Sequence, residues 1–208
     1  MTSSKGDHLE TEQKYDADAG FVLPRLDGLP ELGGRRPADP KRFYLSATYF
    51  DTDDLHLIQR KITLRRRVGG EDEGWHLKLP VRKDTRQELH APLDEGAAGS
   101  VPARLAARVE DITAGQLLRP VAILDTERTV VTLASPAGDA LVEVADDLVT
   151  AVRFGEPDSE PMRWREIEVE AMSPDGAAML DTIGKVLREA GARPSASGSK
   201  LARVLNAS

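Results

Sequence analysis

Residues 166–170 read Glu-Ile-Glu-Val-Glu, an alternation of acidic and apolar residues that decides the fold class. Successive side chains on a β-strand point to opposite faces, so the three glutamates would share one face, and Ile167 and Val169 the other. Alternation of this kind over a short run is typical of a strand with one buried face. The stretch therefore predicts a strand over residues 163–172, with a charged side and an apolar side.

The same alternation recurs in other short runs, which are separated by segments rich in proline and glycine. It predicts eight strands in all, at residues 8–16, 42–51, 62–68, 74–80, 86–93, 121–133, 140–152 and 163–172. Helical periodicity predicts helices at residues 53–60, 101–108, 113–118, 174–190 and 199–205. This order of elements predicts an α+β fold, an eight-stranded antiparallel β-barrel with helices packed on the outside, because closure removes the edges of the sheet. We expect one domain over residues 8–206, preceded by a flexible N-terminus at residues 1–7.

The composition excludes several classes of function. The chain has 208 residues and a net charge of −7, so it lacks the general attraction that drives non-specific binding to nucleic acids. It has no cysteine, which excludes disulfides, zinc sites built from thiolates and a cysteine nucleophile. No stretch approaches the ~20 apolar residues that a membrane-spanning helix needs. We expect a cytoplasmic protein that binds neither nucleic acid nor membrane.

Most of the predicted strands pair an apolar face with a face that carries charges of both signs. One explanation is that the charged faces are simply solvated, as one side of many antiparallel sheets is. The other is a barrel whose apolar face points outward under the helices and whose charged face lines the interior. Buried charges cost several kcal/mol each unless they are paired or bound to a ligand, so such an interior requires a ligand that engages both signs. A polyphosphate bound with Mg²⁺ or Mn²⁺ does so, since bases bind phosphate oxygens and glutamates bind the cation.

Residues 10–14, Glu-Thr-Glu-Gln-Lys, resemble the ExExK signature of the CYTH superfamily. This superfamily, the triphosphate tunnel metalloenzymes, includes thiamine triphosphatases, class IV adenylate cyclases and inorganic tri- and polyphosphatases. Further stretches similar to the family follow in the same order, at residues 48–52, 64–67, 74–78, 127–128, 141–143, 166–170 and 199–201. The resemblance covers about residues 8–205. It implies an eight-stranded antiparallel barrel whose tunnel is lined by opposed acids and bases.

The resemblance also implies roles for individual residues. Carboxylates that bind the metal, Mg²⁺ or Mn²⁺, are implied at Glu10, Glu12, Glu143, Glu168 and Glu170. Bases that bind phosphate are implied at Lys14, Arg65, Arg67, Lys78, Arg128 and Lys200, and strand parity adds Arg86. Tyr49 and Lys78 match the positions proposed to protonate the leaving group. Glu166 is a second-tier candidate on the face of Glu168, whereas Arg86 and Glu88 could equally be neutralised by opposite charges on neighbouring strands.

The C-terminal segment is predicted to bring Lys200 to the tunnel. Leu201, Val204 and Leu205 recur at helical spacing, so this short helix is expected to dock on the barrel and hold the ammonium group at the tunnel mouth. An exposed lysine on a fraying terminus is the alternative. The four histidines are too scattered for a metal pair, and His76 is expected to be at most a contact in the tunnel wall.

We expect a metal-dependent triphosphatase that hydrolyses inorganic triphosphate or another short triphosphate-bearing molecule. Two alternatives stay open, namely a non-catalytic module that binds polyphosphate or nucleotide in the same tunnel, and a class IV-type adenylate cyclase. Thr63 stands where the thiamine triphosphatases carry an aromatic residue that stacks on thiamine, which argues against thiamine recognition. The expected partner is a small tri- or polyphosphate, and a homodimer or a CHAD domain on another chain stays open.

Overall fold

The computed structural model describes residues 8–34, 37, 39–96, 99–155 and 160–206. The predicted flexible N-terminus at residues 1–7 lies outside the described residues. No helix among the described residues is long and apolar enough to cross a membrane. The strands are β1 (His8–Ala17), β2 (Lys41–Asp51), β3 (Thr63–Val68), β4 (Gly74–Arg82), β5 (Thr85–Ala91), β6 (Arg119–Ala134), β7 (Ala140–Arg153), β8 (Met162–Ala171) and β9 (Arg193–Pro194). The α-helices are α1 (His56–Gln59), α2 (Ala103–Ala107), α3 (Glu110–Thr113), α4 (Pro174–Glu189) and α5 (Lys200–Asn206).

The eight long strands form one closed antiparallel barrel. Their order around it is β5-β4-β3-β2-β6-β7-β8-β1, and β1 pairs with β5 to complete the ring. The predicted α+β barrel with helices on its outside is therefore confirmed. The additional strand β9 pairs with β1 at Tyr15 and Asp16. It is only two residues long, which is too short to leave a periodic signal in the sequence.

The longest helix, α4, covers the outer face of the barrel where β7, β8 and β1 lie side by side. Its buried residues Met179, Ile183 and Leu187 belong to the same apolar cluster as Ile167 and Val169 of β8. These two strand residues are the apolar members of the Glu-Ile-Glu-Val-Glu alternation. The apolar face of β8 therefore points outward under a helix, and its acidic face points inward.

The start of α4 is set by a capping residue and a close backbone approach. The side chain of Ser173 accepts a hydrogen bond from the backbone N–H of Gly176 at 3.0 Å. A Cβ atom at Gly176 would lie 1.7 Å from the carbonyl oxygen of Leu141, so any larger residue would push the helix away from β7. The helix predicted at residues 174–190 is confirmed to within one residue.

A second apolar cluster covers the outer face of β3, β4 and β5. Leu105 of α2 and Val109, which precedes α3, are buried with Trp75 and Leu77 of β4. The helix predicted at residues 113–118 is wrong, because the helical turn lies at Glu110–Thr113. It ends where Ala114 adopts a left-handed backbone with a φ of 51°, a conformation that stops an α-helix.

The C-terminal helix α5 packs against inward-facing residues at one end of the barrel. The strand register places Ala47 opposite Leu124 and Leu124 opposite Ala151, so the three share the inner face. Because this part of the interior is apolar and covered by α5, the charged inner face is confined to the rest of the barrel. The buried apolar residues of this cluster are Ala47, Tyr49, Ala122, Leu124, Val149, Ala151, Leu201, Val204 and Leu205.

Candidate active site in the barrel interior

Strand register decides which charged side chains face the barrel interior. Directly opposite residues of an antiparallel pair point to the same side of the sheet. Glu12 lies opposite Glu170, and Glu170 lies opposite Glu143 on the next strand. On another part of the ring, Tyr49 lies opposite Arg65. The residues that sequence parity grouped therefore share one inner surface.

This inner surface encloses a cavity of about 50 Å³, which we call the tunnel cavity. All of the metal-binding and phosphate-binding residues that the resemblance implies line it except Glu143. Glu143 is half-buried on β7 opposite Glu170, and the second-tier candidate Glu166 does not line the cavity either. The lining residues are Glu10, Glu12, Lys14, Tyr49, Thr63, Arg65, Arg67, Asp72, Lys78, Arg86, Arg128, Glu168, Glu170, Ser199 and Lys200.

Acids and bases of the tunnel cavity neutralise one another in pairs. The ammonium group of Lys78 lies 2.8 and 2.6 Å from the two carboxylate oxygens of Glu10. Arg86 and Lys14 each lie 3.2 Å from the carboxylate of Glu12. Burial by itself would raise the pKa of Glu12, but Lys14 and Lys78 outweigh it and lower that pKa. Glu12 is therefore held as a carboxylate, and Glu10 is ion-paired, by bases that the family resemblance assigns to phosphate.

Two arginines of β3 form a basic wall with unused donors. The Nε atoms of Arg65 and Arg67 are buried and have no hydrogen-bond partner among the described residues. Arg67 is ion-paired with Asp72 through its terminal nitrogen, and burial together with Arg65 lowers the pKa of Arg67 to about 10. Arg65 donates a 3.4 Å hydrogen bond to the hydroxyl of Tyr49. Burial would raise the pKa of Tyr49, but the charge of Arg65 lowers it.

Glu170 is the carboxylate that this arrangement compensates least. It has Glu12 and Glu143 directly opposite it on its two neighbouring strands, and like charges in such positions repel each other. Burial, and then the charge of Glu10, raise the pKa of Glu170 to about 8. We call Glu10, Glu12 and Glu170, which line the tunnel cavity together, the acidic wall. A bound cation would relieve the repulsion among these carboxylates, so the acidic wall fits a divalent metal.

An acidic cluster beside the tunnel cavity surrounds the ammonium group of Lys200. The ammonium nitrogen lies 2.9 Å from Asp147, 2.7 Å from Glu166 and 2.8 Å from Glu168. Carboxylate oxygens of these three acids lie within 4.8 Å of one another. Burial would lower the pKa of Lys200, but the three carboxylates, Asp147 first, raise it well above its ordinary value. We call this arrangement the Lys200 cluster.

Arg128 joins the Lys200 cluster to the tunnel cavity. Its Nε and Nη2 atoms lie 2.8 and 2.6 Å from the two carboxylate oxygens of Asp147, and Nη2 lies 2.5 Å from Glu168. Lys14 also donates a hydrogen bond to Glu168. Burial would raise the pKa of Glu168, but Lys14, Lys200 and Arg128 lower it well below its usual range. Unlike Glu170, Glu168 is already neutralised by protein bases.

Sequence reasoning missed part of this arrangement. Asp147 lies four residues after Glu143 on the same strand, so parity alone could have placed it on the inner face.

His76 is buried with its Nδ1 atom 2.8 Å from Glu88 and its Nε2 atom 2.9 Å from the carbonyl oxygen of Asp72. Burial lowers the pKa of His76 to about 4. Neither His76 nor Glu88 lines the tunnel cavity, although the register places them opposite Arg65 and Lys78, on the same inner face.

A sequence profile of the CYTH domain matches residues 9–205. Two Mycobacterium tuberculosis proteins, MT2285 of strain CDC 1551 / Oshkosh and Rv2226 of strain ATCC 25618 / H37Rv, are each 41% identical over 211 residues. Both are described as uncharacterized. The alignments cover 96% of this chain and 40% of each relative, so the chain spans less than half the length of these relatives.

Several solved structures share the fold over nearly the whole chain. A Bacillus halodurans protein assigned as an adenylate cyclase aligns with a TM-score of 0.61 at 18% identity, covering 95% of this chain and 98% of that one. PH1819 from Pyrococcus horikoshii OT3 gives a TM-score of 0.53 at 16% identity, with coverages of 95% and 98%. HpAC1 from Hippeastrum, an assigned adenylyl cyclase with a dominant triphosphatase activity, gives a TM-score of 0.52 at 16% identity, with 95% of each chain covered. At these identities the likeness concerns the fold alone.

Proposed function

The chain belongs to the CYTH domain family, and on this premise we propose that it is a divalent-metal-dependent hydrolase of inorganic triphosphate or another short triphosphate-bearing molecule. One observation carries the proposal, the presence of unsatisfied groups on two opposed walls of the same tunnel cavity. Carboxylates crowd around Glu170, while the buried Nε atoms of Arg65 and Arg67 have no hydrogen-bond partner among the described residues. A cation alone would satisfy one wall, and an anion alone the other.

The ion pairs of the tunnel cavity support a ligand made of both components. Lys78 pairs with Glu10, and Arg86 pairs with Glu12. A phosphate that binds these two bases would therefore leave the two glutamates without their ion-pair partners. An unpaired buried carboxylate costs several kcal/mol. If a divalent cation binds the carboxylates while the phosphate binds the bases, every charged group keeps a partner of opposite charge. A metal triphosphate complex is the simplest ligand with this property.

The acidic wall offers the donor set that Mg²⁺ and Mn²⁺ prefer. Glu10, Glu12 and Glu170 line the tunnel cavity together and supply only hard carboxylate oxygens. Two further carboxylates are candidates, namely Glu168, which lies on β8 with Glu170 and is ion-paired with bases, and Glu143, which lies opposite Glu170 on β7. When bound, the cation would shield phosphate charge and lower the pKa of a coordinated water.

The basic wall would do the rest of the chemistry with the chain's own residues. Arg65 and Arg67 would stabilise the charge on the transferred phosphoryl group, since phosphoryl transfer depends mainly on positioning and electrostatics. Lys78 carries a proton within the cavity, and Tyr49 carries one next to Arg65. These two groups are the candidate donors to the oxygen that leaves when the phosphoric anhydride bond breaks.

A product assay tests this function and separates it from the alternatives. Phosphate release would be measured with tripolyphosphate, ATP, thiamine triphosphate and long-chain polyphosphate, each with Mg²⁺, Mn²⁺ or EDTA. A triphosphatase releases orthophosphate from tripolyphosphate only with metal. A class IV-type cyclase would instead convert ATP to diphosphate and a cyclic nucleotide, and a binding module would bind tripolyphosphate without releasing phosphate.

Two matched variants connect the activity to the tunnel. Glu12→Gln removes a carboxylate of the acidic wall, whereas Glu127→Gln makes the same change at an exposed residue next to Arg128. We expect Glu12→Gln to abolish metal-dependent turnover and Glu127→Gln to leave it intact. Full activity in both variants would contradict the metal assignment.

A further inference from the structure

The turn between β3 and β4, residues 69–73, carries three consecutive acids. Glu71 is 69% exposed and accepts a 2.8 Å hydrogen bond from the ammonium group of Lys41. Asp72 lines the tunnel cavity, whereas Glu71 and Glu73 do not. One carboxylate of the turn therefore enters the tunnel, and it belongs neither to the acidic wall nor to the basic wall.

Arg67 lies at the end of β3 next to this turn, because the register pairs it with Gly74, the first residue of β4. Its Nη2 atom is ion-paired with the carboxylate of Asp72 and lies 3.5 Å from the carbonyl oxygen of the same residue. The side chain of Arg67 is only 5% exposed, and a buried guanidinium needs an anion beside it. Asp72 supplies this anion, in the place where the proposed function puts a phosphate oxygen.

The backbone of the turn is fixed by two histidines, whereas the carboxylate of Asp72 can move. The Nε2 atom of His76 lies 2.9 Å from the carbonyl oxygen of Asp72, and that of His90 lies 3.2 Å from the carbonyl oxygen of Glu73. The side chain of Asp72 is 36% exposed. A change of its χ1 rotamer alone would therefore carry the carboxylate from Arg67 into water while the turn stays in place.

Access to water distinguishes Asp72 from the carboxylates of the acidic wall. Glu10 is buried with Lys78, so a phosphate that takes this base leaves a buried carboxylate that needs a cation. Asp72 needs no cation when it loses Arg67, because water solvates its carboxylate instead. Displacing Asp72 thus costs one partly exposed ion pair, which is a small loss for a ligand that binds several bases.

We infer that Asp72 is a positioning residue that competes with phosphate for Arg67, so that its carboxylate neutralises the guanidinium until a phosphate oxygen displaces it. The inference rests on the proposed function, because it takes the tunnel cavity as the phosphate site. A phosphate chain that reaches several bases at once offsets the loss of this ion pair, whereas an anion that contacts Arg67 alone gains little over the carboxylate. Asp72 thus lowers the affinity of the tunnel and restricts it to anions that reach several bases.

The test compares two acids of the same turn. Asp72→Asn removes the charge and keeps the size of the side chain, and Asp72→Ala removes the competing group altogether. Glu71→Gln is the matched control, because it makes the same kind of change one residue away, at an exposed side chain outside the tunnel cavity. Binding of tripolyphosphate is measured by titration calorimetry in EDTA, where metal-dependent turnover does not occur, and KM is measured with Mg²⁺.

We expect Asp72→Asn to strengthen binding of tripolyphosphate about three- to tenfold in EDTA and to lower KM with Mg²⁺ by a similar factor. Asp72→Ala should show at least the same gain, and Glu71→Gln should change neither quantity. A variant that merely damaged the turn would bind less tightly, so a gain in affinity separates competition from a structural role.

An unchanged or weakened affinity in both Asp72 variants would overturn the inference. A rise in KM with Mg²⁺ alone would overturn it as well, because it would assign Asp72 to the metal. A protein that hydrolyses tripolyphosphate but shows either result keeps the proposed function and loses the competitor. If the wild type neither binds nor hydrolyses tripolyphosphate, the proposed function itself fails.

Discussion

Glu10 of β1 and Lys78 of β4 meet in the tunnel, where the ammonium nitrogen lies 2.6 and 2.8 Å from the two carboxylate oxygens. Glu10 is 6% and Lys78 12% exposed, so the pair is largely shielded from bulk water. Such a pair is stable only while both partners are compensated. A ligand that removes Lys78 from Glu10 must therefore also supply a positive charge to Glu10, which under the proposed function would couple metal binding to phosphate binding.

The first prediction is that metal and tripolyphosphate bind cooperatively. In EDTA the phosphate chain must compete with the carboxylates for each base, whereas with Mg²⁺ the acids receive a partner of their own. We expect the affinity for tripolyphosphate to rise at least about tenfold between EDTA and saturating Mg²⁺, measured by titration calorimetry at constant ionic strength. Linkage requires tripolyphosphate to raise the affinity for Mg²⁺ by the same factor. The idea fails if the two affinities prove independent.

The second prediction separates three consecutive arginines by the face of β3 on which they lie. Arg65 and Arg67 line the tunnel cavity, whereas Arg66 lies opposite Trp75 on the other face of the sheet. A hydrogen bond to a charged group contributes about 1.5–3 kcal/mol, so Arg65→Ala or Arg67→Ala should weaken binding of tripolyphosphate about 10- to 100-fold. Arg66→Ala is the matched control and should leave the affinity unchanged. Similar losses at all three positions would show that phosphate does not bind on the inner face.

The sequence predicts the strands of the barrel well because the alternation of apolar and charged residues that marks each strand is a local pattern. Alternation over residues 163–172 matches β8, Met162–Ala171, to within one residue at each end. The same parity places Glu168 and Glu170 in the tunnel cavity. A strand in a closed barrel has one inner and one outer face, so a pattern with a period of two residues carries most of the information.

Contacts between distant segments could not be predicted in this way. The ammonium of Lys200 contacts Glu166 and Glu168 only because α5 docks at the end of the barrel, and no local pattern shows where a short helix docks. The position of Glu143 beside the cavity depends on how far each side chain reaches inward, which parity does not give. The helix expected at residues 113–118 was misplaced because the left-handed turn at Ala114 leaves no periodic signal.

The third prediction concerns the pH dependence of stability in the metal-free protein. The pKa of Glu170 is about 8 in the folded protein, against an ordinary value of 4.5 for a glutamate, so the folded state holds the proton more tightly than the unfolded state does. Raising the pH from 4.5 to 8 therefore removes a proton that only the folded state retains, and the free energy of unfolding falls across this window. Glu170→Gln lacks this loss, so its stability relative to the wild type should increase by roughly 2–4 kcal/mol over the window.

Urea unfolding in EDTA at pH 5, 6.5 and 8.5 measures this difference. Glu127→Gln serves as the control, because it makes the same substitution at an exposed side chain outside the tunnel cavity. A constant difference between Glu170→Gln and the wild type across the three pH values would show that the carboxylates of the acidic wall do not repel one another in the folded protein.

The fourth prediction is that Lys200 stabilises the barrel through the Lys200 cluster. Lys200→Met keeps an unbranched, largely apolar side chain but leaves Asp147, Glu166 and Glu168 without their shared cation. Breaking a buried ion pair from one side costs about 3–5 kcal/mol, so the free energy of unfolding should fall by that order. Lys185→Met is the control, since Lys185 is 71% exposed and pairs with Glu189 at 3.9 Å, and it should cost less than about 0.5 kcal/mol.

A double variant then shows whether the loss comes from unpaired carboxylates or from lost packing of α5. Glu166→Gln removes one negative charge from the cluster and keeps an oxygen acceptor for the indole N–H of Trp164, which now bonds Glu166 at 2.5 Å. If charge is the cause, Glu166→Gln combined with Lys200→Met should be more stable than the sum of the single effects by about 0.5–3 kcal/mol in urea unfolding. Strictly additive losses would instead assign the role of Lys200 to packing. The KM of Lys200→Met for tripolyphosphate, measured where the variant stays folded, then decides separately whether the ammonium also reaches phosphate.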